Sequence, residues 1–446
     1  MPSARLASSL CAAVLIATVV GSLAAQAAPS LTLGKPNAKS KYTLGMLFAL
    51  QELPDGRVVA SDRKEQVFRL VDLNRGDVGL LGKQGDGADT YRTASAIFRL
   101  PGDSLGLYDS QGRKMLHVTP QGTVAGMIPL PTMSNNRRLG IPVGADFNQN
   151  LYFTISETFD TVTRALSGIG GITRLSPGAD ADEQQLTYRT RRTDQTKLTG
   201  SMPFVFRDAV AIRSDGLMAR VVADTYQVIW GRNAKEIGRT GPLPFTPVML
   251  DEQETKAAKD SVIDFMKSMM AGGAPGGTSF SNGGGRGGGM AMGGGDLVVV
   301  MMGGGGGGAP MIVGGAGSGA VMIERAVAEA KATGAAGGGD VKVVNGAAAF
   351  NPADMKFGEF PAYKPPMPSS GVVAMFDVAG NLWVARTSTH GDNVPHFDLI
   401  AEGKGLIARV NLPTGTRLLG FGKNSVYVAR SDEGSDWLER YAMPKM

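Results

Sequence analysis

Hairpins of one pattern recur along this chain, and their recurrence limits the possible folds more than any other feature. Each has a turn with Gly or Asn, a β-rich run, a polar turn and a second alternating run. Six copies occupy residues 53–73, 100–124, 146–178, 213–240, 377–413 and 422–443. The first two copies start 47 residues apart and the last two 45, which is typical of propeller blades. A β-sandwich or barrel is the alternative, but sandwiches lack this recurring order.

The repeats predict an all-β, six-bladed β-propeller, in which four-stranded blades pack radially and cover each other's faces. Blades 1–4 are placed in residues 31–250 and blades 5 and 6 in residues 366–446. Closing the ring requires a strand from the other end of the chain. The segment LTLG at residues 31–34 is expected to supply the outer strand of the last blade, beside WLERYAM.

The N-terminal segment predicts export. Residues 1–27 contain Arg5, an apolar run and the small residues of Ala25-Gln26-Ala27, as a signal peptide cleaved after Ala27 requires. A retained membrane anchor is the alternative, but the apolar run is shorter than the roughly 18 residues of a span. The mature protein is therefore expected in the periplasm or outside the cell, with no transmembrane segment. The sole cysteine, Cys11, lies in the signal, which excludes disulfides and thiolate sites from the mature chain.

Several phrases resemble a known family. LPDGRVVASD, GDGADTYR, FDVAGNLWVAR and WLERY are similar to segments of bacterial exported six-bladed propellers of the NHL and TolB-like superfamily. The resemblance covers roughly residues 31–250 and 366–446. It implies the fold but no single function, because that superfamily includes lactonases, lyases, sensors and binding modules.

Residues 251–365 interrupt the repeats between blades 4 and 5. The insertion opens with an amphipathic pattern at Ala258, Val262, Phe265 and Met269 that predicts a helix. A Gly/Met-rich low-complexity stretch and a second helical pattern, AVMIERAVAEAKAT, follow. Connections between blades share one face with the loops that join second and third strands, so the insertion is expected over the channel mouth. It is either a lid or partner-binding arm, or a tolerated surface expansion.

The methionines of the insertion suggest one metal hypothesis. Thioethers suit Cu(I), and five occur in this stretch: Met290, Met292, Met301, Met302 and Met311. The insertion contains no histidine. Self-association and simple disorder are the alternatives, and disorder is the usual result for such a composition.

No strong catalytic motif is present, and no catalytic residue is assigned. The chain has no HExxH, GxSxG or Walker sequence. A net charge of +5 without a basic block argues against nucleic acid as a partner. Of three histidines, His117 lies in a strand pattern, while His390 and His396 share one turn near Asp392 and Asp398. That turn is either a metal site or an exposed polar hairpin, and we favour the hairpin.

Arginines and aromatic residues recur on the loops of this same face, which usually carries the ligand site in the propellers that this chain resembles. If they converge, they form an electropositive pocket for a small anionic ligand or an acidic protein segment. The alternative is that each pairs with a neighbouring carboxylate. The candidates are Tyr91, Arg92, Arg137, Arg138, Arg207, Tyr226, Arg386 and Arg430.

The resemblance also implies a second possibility. Gluconolactonase-like propellers bind a divalent cation through Glu, Asn and Asp, and such oxygen ligands suit calcium. Residues of these types are Glu52, Asn148, Asn150 and Asp224. The surrounding motifs do not match, and Asp62, Asp109 and Asp224 follow second strands, where Asp usually forms turns.

These observations predict a non-catalytic ligand- or protein-binding or scaffolding module without a cofactor. The alternative is a calcium-dependent hydrolase or lactonase of the gluconolactonase-like type. A third possibility is self-assembly through the insertion.

Overall fold

The computed structural model describes most of the repeat region and parts of the insertion. The described residues are 28–130 except 88 and 129, 142–196 except 156, 161, 164 and 178–182, 204–270, 296–300, 311–315, 357–368 and 372–445. The predicted signal peptide, the second helical pattern and Arg137 and Arg138 lie outside them. The described chain forms the predicted six-bladed propeller.

The alternating runs form the strands of six antiparallel blades, each with an inner, second, third and outer strand. Two short N-terminal strands precede them, β1 (Ser30–Thr32) and β2 (Ala38–Lys39). Blade 1 consists of β3 (Leu47–Glu52), β4 (Val58–Asp62), β5 (Val67–Asp72) and β6 (Asp77–Leu80). A parallel pair, β7 (Lys83–Gln84) and β8 (Thr90–Tyr91), leads to the next blade. Blade 2 consists of β9 (Ala94–Arg99), β10 (Leu105–Asp109), β11 (Lys114–Val118) and β12 (Val124–Ile128).

Blade 3 carries the expanded turn that the sequence predicts. Its inner and second strands are β13 (Pro142–Ala145) and β14 (Leu151–Ile155). The turn holds a small hairpin, β15 (Phe159–Asp160) and β16 (Ala165–Leu166). The blade continues with β17 (Ile169–Leu175) and β18 (Glu183–Arg189). Blade 4 consists of β19 (Ala209–Ile212), β20 (Met218–Val222), β21 (Gln227–Arg232) and β22 (Lys235–Arg239).

The insertion begins with the predicted helix. This helix is α1 (Glu252–Met270), and Ala258 and Val262 are buried on it. A short antiparallel pair follows, β23 (Asp296–Val300) and β24 (Met311–Gly315). Blade 5 consists of β25 (Ala374–Phe376), β26 (Leu382–Arg386), β27 (His396–Ala401) and β28 (Gly405–Asn411). Blade 6 consists of β29 (Thr416–Gly422), β30 (Ser425–Asp432) and β31 (Ser435–Ala442). Two 3-10 turns complete the described helices, Pro101–Asp103 and Thr193–Gln195.

The ring closes through a different segment from the one predicted. Ala38 of β2 pairs with Arg440 of β31, so β2 is the outer strand of blade 6. The earlier strand β1 pairs in parallel with β28, Leu31 opposite Val410, and is a fifth strand on blade 5. The prediction that residues 31–34 close the last blade is therefore wrong. Nothing local in the sequence of either segment names its partner, and only the path of the chain around the ring decides which blade each joins.

The core lies between neighbouring blades. Side chains from two blades share each large cluster, as when Phe68 of blade 1 packs with Leu105 and Leu107 of blade 2. Backbones also approach closely, because a Cβ on Gly420 of blade 6 would lie 2.6 Å from the carbonyl oxygen of Leu50 in blade 1. Apolar strand faces are thus covered without any edge-to-edge pairing of blades.

Two faces of the ring follow from this topology. The upper face carries the turns between second and third strands and the connections between blades, and the lower face carries the other turns. Aspartates after second strands form upper-face turns, as predicted: Asp62 accepts hydrogen bonds from the amide of Gly45 and the guanidinium of Arg69. Asp109 accepts hydrogen bonds from the backbone amides of Thr93 and Gly112.

No helix in the described parts of the chain is long and apolar enough to cross a membrane.

Candidate functional site

A cleft of about 480 Å³ opens on the upper face beside blade 5. One wall is the turn between β26 and β27, residues 386–396. The other wall is the chain that leaves blade 4 and enters α1, residues 246–254. We call this the blade 5 cleft. It is bounded by the start of the insertion, so the insertion contributes directly to the site.

The two ends of the insertion hold the second wall in place. The amide of Leu250 donates to the carbonyl of Ala362 at 3.1 Å, and the amide of Lys364 donates to the carbonyl of Val248 at 2.8 Å. Asp251 precedes α1 and accepts a hydrogen bond from the amide of Glu254, as an N-cap residue does. The chain therefore enters and leaves the insertion as a short paired stalk.

A buried ion pair fastens this stalk to blade 5. Lys364 Nζ lies 2.7 Å from Glu254 Oε2, and their side chains are only 5% and 8% exposed. Lys364 also donates to the carbonyl of Ser388 at 2.9 Å, and Glu254 accepts a hydrogen bond from the amide of His390. Both charges are thus hydrogen-bonded to the loop that forms the first wall, as buried charges must be.

Polar atoms in the first wall lack partners. Arg386 Nε, Thr387 Oγ1 and His390 Nδ1 are buried and form no hydrogen bond among the described residues. The ring of His390 has no other polar contact with the described chain. Buried polar groups are nearly always hydrogen-bonded. Three buried polar atoms without a hydrogen bond, all within a five-residue segment that lines the cleft, therefore indicate a place for a ligand or ordered water.

A second imidazole in the cleft is fixed on both sides. His396 Nε2 lies 2.9 Å from Asp392 Oδ2, and its Nδ1 lies 2.7 Å from Asn411 Oδ1. Burial acts to raise the pKa of Asp392, but the hydrogen bond from His396 and that from the amide of Val394 outweigh it, so this pKa is lowered. Asp392 is therefore a carboxylate at neutral pH, and its charge orients His396.

Behind the cleft, Asp398 joins blades 4 and 5. It is fully buried and accepts a hydrogen bond of 2.8 Å from the hydroxyl of Tyr226. Arg386 Nε and Arg409 Nε lie 3.6 and 3.5 Å from Asp398 Oδ1. Burial raises the pKa of Asp398, and Tyr226 and the two arginines only partly oppose this. The terminal nitrogens of Arg386 make no hydrogen bond to the described chain, and Arg386 is one of the residues that line the cleft.

The predicted anion-binding residues do not all converge. Tyr226 and Arg386 meet through Asp398. Tyr91 is buried, and its hydroxyl oxygen accepts a hydrogen bond from the backbone amide of Phe68. Arg92 pairs with Asp86 and Arg430 with Glu439, as the alternative of local pairing predicts. The remaining described candidate, Arg207, donates to the carbonyl of Thr190 at 3.3 Å.

The four calcium candidates do not form one site. Glu52, Asn148 and Asn150 belong to lower-face turns of blades 1 and 3, whereas Asp224 lies on the upper face, 3.0 Å from Arg189.

The first three are also engaged in structural bonds. Glu52 accepts hydrogen bonds from the hydroxyl of Tyr427 and the amide of Lys423. The backbone amide of Asn148 and the amide groups of Asn150 donate to Asp146. No group of three or more His, Cys, Asp or Glu side chains suited to a metal occurs in the described residues. These residues therefore do not fit a calcium ion.

Sequence reasoning found the turn but not the cleft. It named His390, His396, Asp392 and Asp398, and preferred an exposed hairpin. The turn is instead half covered, because Glu254 and Lys364 bring a second wall over it. Thr387 and Asn411 were missed, and no local pattern marks either of them.

No protein-family model and no curated protein match this sequence. Several solved structures are similar. Regucalcin, a calcium-binding protein from Agrobacterium tumefaciens, is 9% identical with a TM-score of 0.37, covering 93% of this chain and 97% of that one. A putative gluconolactonase is 9% identical with a TM-score of 0.36, covering 92% and 95%. A luciferin-regenerating enzyme is 12% identical with a TM-score of 0.38, covering 92% and 95%.

These comparisons correct the main functional prediction. The chain was predicted to be a non-catalytic binding or scaffolding module, whereas the structures it is similar to are mostly named as enzymes, among them a putative gluconolactonase, a luciferin-regenerating enzyme and a streptogramin B lyase. Identities of 12% or less transfer no substrate and no catalytic residue. The chemistry of this chain is therefore argued from its own cleft.

Proposed function

We propose that the protein is a hydrolase of carboxylic esters or lactones, and that the blade 5 cleft is its active site. The observation that carries this proposal is the cluster of buried polar atoms without a hydrogen bond at Thr387 and His390 in one cleft, beside Arg386, whose Nε also lacks a hydrogen bond but lies 3.6 Å from Asp398. Hydrolysis of an ester needs a base for water and a donor for the oxyanion, and this cluster offers one group of each type.

The roles follow from which groups are free. His390 has no ring partner in the described chain, so it accepts the proton of the attacking water. The water oxygen bonds to the carbonyl carbon, and the resulting oxyanion is stabilised by the terminal nitrogens of Arg386. When the C–O bond breaks, the leaving alkoxide takes the proton back from His390. The pair of Asp392 and His396 holds the wall in place and takes no proton in this scheme.

No step uses a metal ion, because the residues proposed for calcium lie on opposite faces. Residues 1–27 support export, so the expected site of action is the periplasm or the exterior, and membership of the exported NHL and TolB-like propellers is part of the same proposal. A gluconolactonase-like substrate, a small sugar lactone, is the first compound to test.

The test is a hydrolysis assay on the purified protein. Glucono-δ-lactone and γ-butyrolactone are followed by proton release and 4-nitrophenyl acetate by absorbance, with chelator present and absent. We expect more than one molecule of product per molecule of protein for at least one compound. We expect the rate of hydrolysis to fall by about a hundredfold or more in His390→Gln and Arg386→Gln. His117→Gln is the matched control, since His117 lies on β11 of blade 2, away from the cleft.

Two results would overturn the proposal. One is a rate equal to that of buffer for all three compounds. The other is hydrolysis that His390→Gln and His117→Gln leave equally intact.

A further inference from the structure

A cation without a hydrogen-bond or ion-pair partner among the described residues lies on the upper face at blade 1, outside the blade 5 cleft. Arg63 follows β4 in blade 1, and its guanidinium carbon lies 3.3 Å from the ring centroid of Phe48. Phe48 is the second residue of the innermost strand of the same blade, near its upper-face end, and is 37% exposed. The arginine is therefore stacked on an aromatic ring at the channel mouth.

The carboxylates around Arg63 are used by other groups. Asp62 accepts the guanidinium of Arg69 at 2.8 Å, and Asp436 pairs with Arg417 of blade 6. The guanidinium of Arg63 has no hydrogen-bond or ion-pair partner among the described residues. Its side-chain nitrogens are nevertheless not among the buried unpaired atoms, so solvent reaches them.

Arg417 of blade 6 lies close enough for its charge to act on Arg63, and Arg417 is itself paired with Asp436. Burial and then the charge of Arg417 lower the pKa of Arg63 to about 10, so it is still charged at neutral pH. A partly buried charge without an ion-pair partner lowers the stability of the folded state unless an anionic ligand binds it.

Stacking also prepares the guanidinium for a ligand. A guanidinium lying on an aromatic face keeps its N–H groups directed outward in its own plane, and this fork matches the two oxygens of a carboxylate. Because the side chain is already held by Phe48, less rotamer entropy is lost on binding.

We propose that Arg63 and Phe48 form a binding site for a monocarboxylate at the channel mouth. A single guanidinium fork matches the two oxygens of one carboxylate group. This site is independent of the proposed hydrolase function, because it lies on blade 1 and uses no residue of the blade 5 cleft.

The test uses 4-fluorobenzoate followed by fluorine NMR line broadening. The parent protein carries Arg386→Gln, so that the blade 5 cleft does not contribute. We expect binding by this parent, at least tenfold weaker binding after Arg63→Gln, and an intermediate loss after Arg63→Lys, which keeps the charge but not the fork. Arg75→Gln is the control, since Arg75 is 80% exposed in the same blade and pairs only loosely with Asp72.

Uncharged 4-fluorobenzamide and inorganic phosphate complete the design. We expect no broadening with the amide and weak competition by phosphate. The proposal is overturned if the parent does not bind the carboxylate at millimolar concentration, if Arg63→Gln binds as well as Arg75→Gln, or if the amide binds equally. Arg63→Gln removes no hydrogen bond, and a thermal melt equal to or above that of the parent confirms that it is folded.

Discussion

The ion pair of Lys364 and Glu254 is the connection that makes the blade 5 cleft, and its removal gives a quantitative test. In Lys364→Met the carboxylate of Glu254 stays 8% exposed but loses its partner at 2.7 Å. Breaking a buried pair from one side costs about 3–5 kcal/mol. Glu254 keeps the hydrogen bond from the amide of His390, so we expect the lower end, about 3 kcal/mol.

Local detachment limits what global unfolding can report. If the stalk detaches from blade 5 before the ring unfolds, urea denaturation reports only the free energy of docking. Amide hydrogen exchange resolves this, because the amide of His390 is bonded to Glu254 and is exposed by detachment. A loss of about 3 kcal/mol corresponds to exchange more than a hundredfold faster at His390.

Two variants serve as controls for this prediction. Lys256→Met removes an exposed pair with Asp260 on the same helix and is expected to cost at most about 0.5 kcal/mol. Lys364→Met with Glu254→Leu removes both charges and should recover most of the loss. The ion pair does not hold the stalk if Lys364→Met costs no more than Lys256→Met and leaves exchange at His390 unchanged, or if the double variant is less stable than the single one.

Three further outcomes are expected. Gly420→Ala places a Cβ 2.6 Å from the carbonyl of Leu50 and should lower the free energy of unfolding by about 1–3 kcal/mol, whereas Gly241→Ala, with nothing within 4 Å, should not; equal urea midpoints would contradict this. Burial acts to raise the pKa of Glu157, but the hydrogen bonds from Arg191 outweigh burial and lower this pKa. The resulting stabilisation is therefore present above the unfolded pKa of about 4.3 and is lost as the pH falls through the folded pKa. The difference in unfolding free energy between wild type and Glu157→Gln should shrink on acidification, and a constant difference would refute this. Removing residues 28–39 deletes β1 and β2, and the bare outer strands of blades 5 and 6 should lower the melting temperature and promote association, measured by calorimetry and light scattering.

The strands could be predicted because their signal is local. Alternating apolar residues bounded by Gly, Asn and Asp turns specify each hairpin within about twenty residues, and the repeat then implies radial packing. The turn aspartates Asp62 and Asp109 were correctly assigned for the same reason, since they accept hydrogen bonds from amides two or three residues further along the same turn, those of Lys64 and Gly112. The start of α1 follows from its apolar spacing.

Ring closure and the cleft depend on contacts between distant segments. Nothing in LTLG distinguishes a fifth strand on blade 5 from a closing strand on blade 6, because register and partner are set by the path of the chain. The unpaired atoms of Arg386 and His390 become a site only when Glu254 and Lys364, at opposite ends of the insertion, meet over them. The sequence by itself therefore determined the blades, because strand patterning is local, while the tertiary structure alone decided the site, because burial and ion pairing join residues that no local pattern connects.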